Sequence, residues 1–187
     1  FSGGKLEARK GQDNVIAAWR VFAARHPDAL LISAWHNHWP DGARSIDASR
    51  RAAPLPFRAD GTPDIAAWVA ANGIKPDQFL DRGVVPNALL APILREADAA
   101  IFPNRCEGGT NLVAMEAMAC GVPSILSANT GHLDLLRDGA ALALADQRVI
   151  PSAPGWRESN IEEILAALET LYTDRVKARE IGAAGAK

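Results

Sequence analysis

The stretch Pro103-Asn104-Arg105-Cys106-Glu107-Gly108-Gly109-Thr110-Asn111-Leu112-Val113-Ala114-Met115-Glu116-Ala117-Met118-Ala119-Cys120-Gly121-Val122-Pro123 lies between two apolar runs, Ala99-Ala100-Ile101-Phe102 and Ser124-Ile125-Leu126. Both runs read as buried strands, and the segment between them reads as a glycine-bearing turn followed by a helix. Strand, turn, helix and strand form the repeating unit of an open parallel sheet, in which helix N-termini hold phosphate groups. Glu107 falls in the turn and Glu116 within the helix, so two carboxylates flank that helix start. A carboxylate beside a phosphate site repels the ligand unless it has another task. Accepting hydrogen bonds from vicinal hydroxyls of a ribose or hexose is the natural one. The segment has the outline of a sugar-nucleotide site.

Outward from this stretch, strands and helices alternate. Phe1-Ser2-Gly3 reads as a strand end, followed by a turn from Gly4 to Lys10. Val15, Ile16, Trp19, Phe22 and Ala23 recur at helical spacing within a helix from Gln12 to Arg25. Ala29 to Ser33 is an apolar run suited to a strand covered on both faces. From Trp35 to Pro63 runs a long segment with several prolines, too long for a plain connection. Thr62 or Asp64 then caps a helix that ends before Asn72-Gly73. A strand beginning at Gln78, a helix from Asn87 to Glu96 and the Ala99–Phe102 strand lead to the opening stretch. A short helix near His132–Leu136, a strand at Ala141–Leu144 and helices Asn160–Tyr172 and Asp174–Gly182 follow. The pattern predicts an α/β fold, a doubly wound, Rossmann-like parallel sheet with right-handed crossovers.

At 187 residues, 48% apolar and with a formal net charge of −2, the chain suits one ordinary domain spanning 1–187. No basic footprint points to nucleic acid, and no apolar run reaches the length of a membrane span. Cys106 and Cys120 are the two cysteines, and their spacing makes neither a zinc site nor a disulfide framework. Reduced cysteines fit a cytoplasmic protein. Phe1 reads as lying inside a strand and Lys187 inside a helical tail, so the expectation is a piece of a longer chain.

The opening stretch resembles the Glu-x7-Glu motif of retaining glycosyltransferases of the GT-B fold, group 1 or family 4. There it reads Glu-Gly-Phe-Gly-Leu-Pro-x-x-Glu-Ala-Met-Ala-Cys-Gly-Val-Pro. The second half matches from Glu116 to Pro123 without a gap, whereas Glu107 and Glu116 enclose eight positions rather than seven, the extra residue lying in the turn. The segment Gly3-Gly4-Lys5-Leu6-Glu7-Ala8-Arg9-Lys10-Gly11 is similar to that family's Gly-Arg-Leu-x-x-x-Lys-Gly, with Lys5 where arginine is usual. Phe79-Leu80-Asp81-Arg82-Gly83-Val84-Val85-Pro86 is similar to the Phe-Leu-Gly-x-Val segment whose backbone meets the base, and Asn129 to Asp134 occupies the place of the Gly-Gly-x-Pro-Glu turn.

The resemblance implies the C-terminal, donor-binding half of a two-domain enzyme that transfers a hexosyl group from a nucleotide-sugar with retention. It assigns Lys5 and Lys10 to the diphosphate, Glu107 to the donor hexose and Glu116 to the ribose. Gly4, Gly108, Gly109 and Thr110 join the donor-binding set, the glycines letting backbone approach the ligand and Thr110 capping the helix. Asn111 and Leu112 offer free first-turn amides, and Arg82 and Val85 are placed near the base. No metal or other cofactor is expected, because two lysines and a helix N-terminus supply the positive charge. The acceptor would be held by an N-terminal GT-B domain outside this stretch, in a parent enzyme that can sit peripherally on the inner face of a membrane. His36 and His38 share a face but lack a third ligand at a telling spacing, so Trp35 to Trp39 reads as a loop packed by two tryptophans, with an acceptor-facing or interdomain role as its functional alternative. Two other readings stay open: a GT-B nucleotide-sugar epimerase, and a non-catalytic nucleotide-binding domain. A dinucleotide-dependent oxidoreductase is disfavoured, since no Gly-x-Gly-x-x-Gly follows the first strand.

Overall fold

A computed structural model describes every residue from Phe1 to Lys187. Its first half contains β1 (Ser2–Lys5), α1 (Gln12–Arg25), β2 (Leu31–His36), α2 (Pro40–Ala43), α3 (Ile65–Ala71), β3 (Phe79–Asp81) and α4 (Asn87–Arg95). Its second half contains β4 (Ala100–Phe102), α5 (Leu112–Ala119), β5 (Ser124–Ser127), β6 (Leu142–Leu144), β7 (Gln147–Val149), β8 (Arg157–Ser159), α6 (Ile161–Thr173) and α7 (Arg175–Gly185). β1, β2 and β3 pair in parallel in that order, as do β4, β5 and β6. The two triplets meet at β1 and β4, where Phe1 N donates to Ala99 O at 2.7 Å and Ile101 N to Phe1 O at 2.9 Å. The strands therefore run 3-2-1-4-5-6, the doubly wound order, and it reverses between β1 and β4. Ligands of open α/β sheets bind in the crevice beyond the carboxyl ends of the strands at that reversal.

Successive strand residues point to opposite faces, and both faces are covered. Ile101, Ile125 and Leu144 pack with Val15, Ile16, Trp19 and Phe22 of α1 and with Ile164, Leu165 and Leu168 of α6. Ala100, Phe102 and Leu126 pack on the other face with Leu94 of α4 and with Ala114, Ala117 and Met118 of α5. Each fully buried aliphatic side chain of this kind stabilises the fold by about 1.5–3 kcal/mol. This two-sided burial is why the strands read as continuous apolar runs. No helix is long and apolar enough to cross a membrane.

Several sequence expectations need correction. β2 continues through Trp35 and His36, so these belong to the sheet rather than to a loop. Trp35 is 2% exposed and its Nε1 donates to Ser2 Oγ at 3.2 Å, whereas Trp39 is 67% exposed. One of the two tryptophans packs the interior and the other faces solvent. The long segment after β2 folds into α2, a 3-10 turn at Arg44–Ser49 and an isolated bridge between Phe57 and Pro63, pinned by buried Ala43, Ile46 and Leu55. Asp64, not Thr62, caps α3 by accepting from Ala67 N at 3.1 Å. The antiparallel β7–β8 hairpin was not foreseen, because its strands carry no apolar alternation.

Gly182 shows how tightly α7 sits on the end of α5. A Cβ there would lie 2.1 Å from Gly121 O. Alanine is the better helix former by about 1 kcal/mol, but overpacking costs about 1–3 kcal/mol. Gly182→Ala is expected to destabilise the chain by up to about 2 kcal/mol net, read as a lower urea midpoint.

Candidate functional site

The loop after β1 and the loop after β4 meet at the strand-order reversal. Gly11 makes the meeting possible: its φ is 69°, and a Cβ there would lie 2.3 Å from Pro103 O. Arg105 N donates to Arg9 O at 2.8 Å, a main-chain link between the two loops.

Side chains lock the same junction from behind. Arg105 is buried and its guanidinium reaches three elements. Nη1 and Nη2 donate to the Asp13 carboxylate of α1 at 2.8 and 2.5 Å, Nε to Glu158 of β8 at 3.0 Å, and Nη1 also to Ala8 O at 2.6 Å. Burial alone would make Arg105 easier to deprotonate, but Asp13 and Glu158 outweigh it and hold the group charged. Asn14 Nδ2 donates to Glu158 Oε1 at 2.7 Å, and Ser49 Oγ donates to Asp13. A buried pair broken on one side strands a charge.

Forward of this lock lies the charge cluster. Glu107, 8% exposed, accepts from Lys10 Nζ and from Asn104 Nδ2, and its other oxygen accepts from Arg9 Nη1 at 3.1 Å. Arg9 also pairs with Glu7 at 2.9 Å, and Glu7 with Lys5 at 3.2 Å. Burial pushes the Glu107 carboxyl up, but Lys10, Arg9 and Asn104 prevail and hold it below the usual carboxylate range.

Lys5, Lys10 and Glu107 thus share one chain of ion pairs, with Arg9 and Glu7 as members the motif comparison did not single out. Lys10 meets Glu107 directly, whereas the sequence assigned them to different parts of a ligand. Lys5 Nζ also lies 4.9 Å from the ring centroid of exposed Trp39.

The remaining expected residues divide. Gly4 has φ 127°, which favours glycine, and open space before it. A Cβ at Gly108 or Gly109 would likewise meet nothing within 4 Å, and neither has a positive φ. Nothing inside the fold demands glycine at those two positions. The helix cap is a correction: Asn111, not Thr110, caps α5, its Oδ1 accepting from Ala114 N at 3.4 Å while Thr110 is exposed. Leu112 and Met115 of α5 are also exposed. Glu116 is half-buried and accepts from Asn87 Nδ2 at 3.1 Å, apart from the charge cluster. That bond joins α5 to the start of α4, just after Val85, which packs against the smaller apolar core. Arg82 is exposed and its side chain makes no ion pair or hydrogen bond to the cluster. His36 and His38 stack edge-on at 4.9 Å with His36 Nδ1 buried and unpaired; burial, then His38, lowers the His36 pKa. No group of three metal-ligating side chains forms, and both cysteines are free. An apolar cavity beside Trp19, Phe22, Leu168 and Tyr172 opens at the amino ends of β2 and β4, away from these groups.

Matches to known proteins bear on the family and the fold. The family described as glycosyl transferases group 1 matches residues 2–174. A D-inositol 3-phosphate glycosyltransferase of Acidothermus cellulolyticus is 30% identical over 149 residues, covering 76% of this chain and 29% of its own length. The chain therefore spans less than a third of that relative. A sucrose-phosphate synthase from Thermosynechococcus elongatus superposes with TM-score 0.70 at 24% identity, over 99% of this chain and 39% of its own. The C-terminal domain of a group 1 glycosyl transferase family protein from Francisella tularensis superposes with TM-score 0.67 at 19% identity, over 99% of this chain and 81% of its own.

Two measurements test the local account. Arg105→Met is expected to destabilise the chain by about 3–5 kcal/mol, because it leaves the buried Asp13 carboxylate without its ion-pair partner and half-buried Glu158 with Arg51 alone. Stability should also fall on acidification. Burial pushes His132 down from 6.5 to about 4, so between those values the unfolded chain binds more protons than the folded one. Glu107 extends the loss below its ordinary 4.5, since its ion pairs are lost as pH falls through its lowered value. Urea titrations at pH 7 and pH 5 should differ by about 2 kcal/mol from His132, a difference that His132→Gln removes.

Proposed function

The chain belongs to the glycosyl transferases group 1 family, and from that premise we propose that it is the part of a retaining hexosyltransferase that binds the nucleotide-sugar donor. The observation that carries this reading is the cluster of Lys5, Arg9 and Lys10 with Glu107 at the strand-order reversal, in front of a capped helix. When the bond between the hexose C1 and the diphosphate oxygen breaks, its electron pair leaves with the diphosphate. Lys10, Lys5 and the first-turn amides of α5 then stabilise the growing negative charge. Glu107 holds hydroxyls of the hexose and Glu116 those of the ribose, with Asn87 orienting Glu116. Gly4, Gly108 and Gly109 keep the space before the cluster open. Positive charge from side chains and backbone makes a metal unnecessary. A second domain, outside these residues, holds the acceptor.

Calorimetry with UDP, GDP and ADP checks the reading. At least one nucleotide should bind, and Lys10→Ala and Glu116→Ala should each weaken it by about tenfold, the equivalent of about 1.4 kcal/mol. Unchanged affinity in both variants would sink the assignment. With the complete enzyme, interconversion of nucleotide-sugars without an acceptor would favour the epimerase instead.

A further inference from the structure

His132 is 0% exposed and lies in the 3-10 turn Thr130–Asp134, directly behind the start of α5. Its Nε2 is 3.0 Å from Asn111 Nδ2, and its Nδ1 is 3.0 Å from Ser127 Oγ. An amide nitrogen only donates, so Nε2 is the acceptor and the proton sits on Nδ1. The remaining bonds then have one consistent direction. His132 Nδ1 donates to Ser127 Oγ, Ser127 Oγ donates to Asn104 O at 2.6 Å, and Asn104 Nδ2 donates to Glu107. On the other side, the same Asn111 carboxamide that donates to His132 turns its oxygen to Ala114 N as the helix cap.

The turn holds Glu107 by its main chain as well. Thr130 Oγ1 accepts from Glu107 N at 2.7 Å, and Gly131 N donates to Glu107 O at 3.3 Å. Thr130 does this at φ 41°, in the left-handed region that a β-branched residue rarely adopts. Strain of this kind persists where surrounding structure imposes it, and it concentrates at functional sites. Gly131 completes the fit, because a Cβ there would lie 1.6 Å from Gly109 O.

We propose that His132 is the positioning residue of the donor site: its neutral ring, protonated on Nδ1, fixes Asn111 as the cap of α5 and, through Ser127 and Asn104, sets Glu107 opposite Lys10. The inference rests on the donor-site reading above. Burial keeps the ring neutral; Glu107 opposes that and Lys10 adds to it. A doubly protonated ring would present a donor to the Asn111 amide, forcing that amide to turn over and give up Ala114 N.

The test joins a spectroscopic signature to nucleotide affinity on the 187-residue chain. Nitrogen-15 NMR of His132 at neutral pH should show Nδ1 protonated and Nε2 bare; the opposite tautomer overturns the proposal. Among variants, His132→Gln places an acceptor oxygen where Nε2 lies and should bind the preferred nucleotide of UDP, GDP and ADP within about threefold of the native chain. His132→Leu, which offers no acceptor and so releases Asn111 from its place as the cap of α5, should bind it about tenfold more weakly through loss of the ordered first-turn amides. Thr130→Gly relieves the left-handed strain while removing the Glu107 N–H acceptor; it should keep its melting temperature yet weaken the binding of nucleotide-sugar relative to free nucleotide. If the native chain binds nucleotide but the Leu and Gln variants bind alike, the positioning role is wrong. If the native chain binds none of the three, the donor-site reading fails first.

Discussion

The ion pairs of Arg105 with Asp13 and Glu158 are the constraint on which the site depends. The cations of the cluster come from the last residue of β1 and the loop after it, and its principal carboxylate from the loop after β4, segments about a hundred residues apart in sequence. Parallel strands fix where those loops begin but not how they face each other. Arg105 does that. It lies two residues before Glu107, holds the first turn of α1 by Asp13, takes Ala8 O, and reaches the β7–β8 hairpin by Glu158. The unforeseen hairpin thereby acquires a role, as the third wall of the junction. A buried pair of this kind need not add much net stability, since desolvating the charges offsets much of their attraction. Its effect is on geometry, because alternative loop arrangements would leave buried charge unpaired.

The division of labour drawn from the motifs, with lysines for the diphosphate and glutamates for hydroxyls, takes a different form in the folded chain. Lys10 and Arg9 are already paired with Glu107, and Lys5 with Glu7. Three cations and two carboxylates leave a single net positive charge in the cluster. In the donor-site reading, binding is an exchange of partners. Phosphate oxygens draw Lys10 and Arg9 forward, and the hydroxyls of the sugar replace part of what Glu107 loses. A free nucleoside diphosphate offers no hydroxyls at that point, so Glu107 opposes it and favours the sugar-bearing donor. Discrimination of this sort comes from a group that would be left unpaired by the wrong ligand.

Much of the fold was legible. Apolar runs marked β4, β5 and β6, helical spacing marked α1, and the glutamate motif pointed to the carboxyl edge where the charge cluster lies. What stayed hidden follows from three physical causes. Strands held by polar contacts, as in β7 and β8, leave no alternation to read, and β2 runs on through Trp35 and His36 into what looked like a loop. The choice between Thr110 and Asn111 as cap turns on one residue, and of the two it is Asn111 that meets His132, a contact local spacing does not reveal. The pairing of Lys10 with Glu107 joins residues distant in the chain, so local spacing carries no trace of it. Arg9 and Glu7 stood inside the first motif between the two lysines, where a count of charges, rather than of motif matches, would have drawn attention to them.

The most direct measurement of this account is the nucleotide affinity of Glu107→Gln beside that of the native chain. If Glu107 competes with the diphosphate for Lys10 and Arg9, neutralising it frees both cations. Free UDP, GDP or ADP, whichever the native chain prefers, should then bind about three- to tenfold more tightly, while the corresponding nucleotide-sugar loses its advantage. A Glu107→Gln chain that binds free nucleotide more weakly, or with no change, would contradict the exchange of partners at the centre of the site.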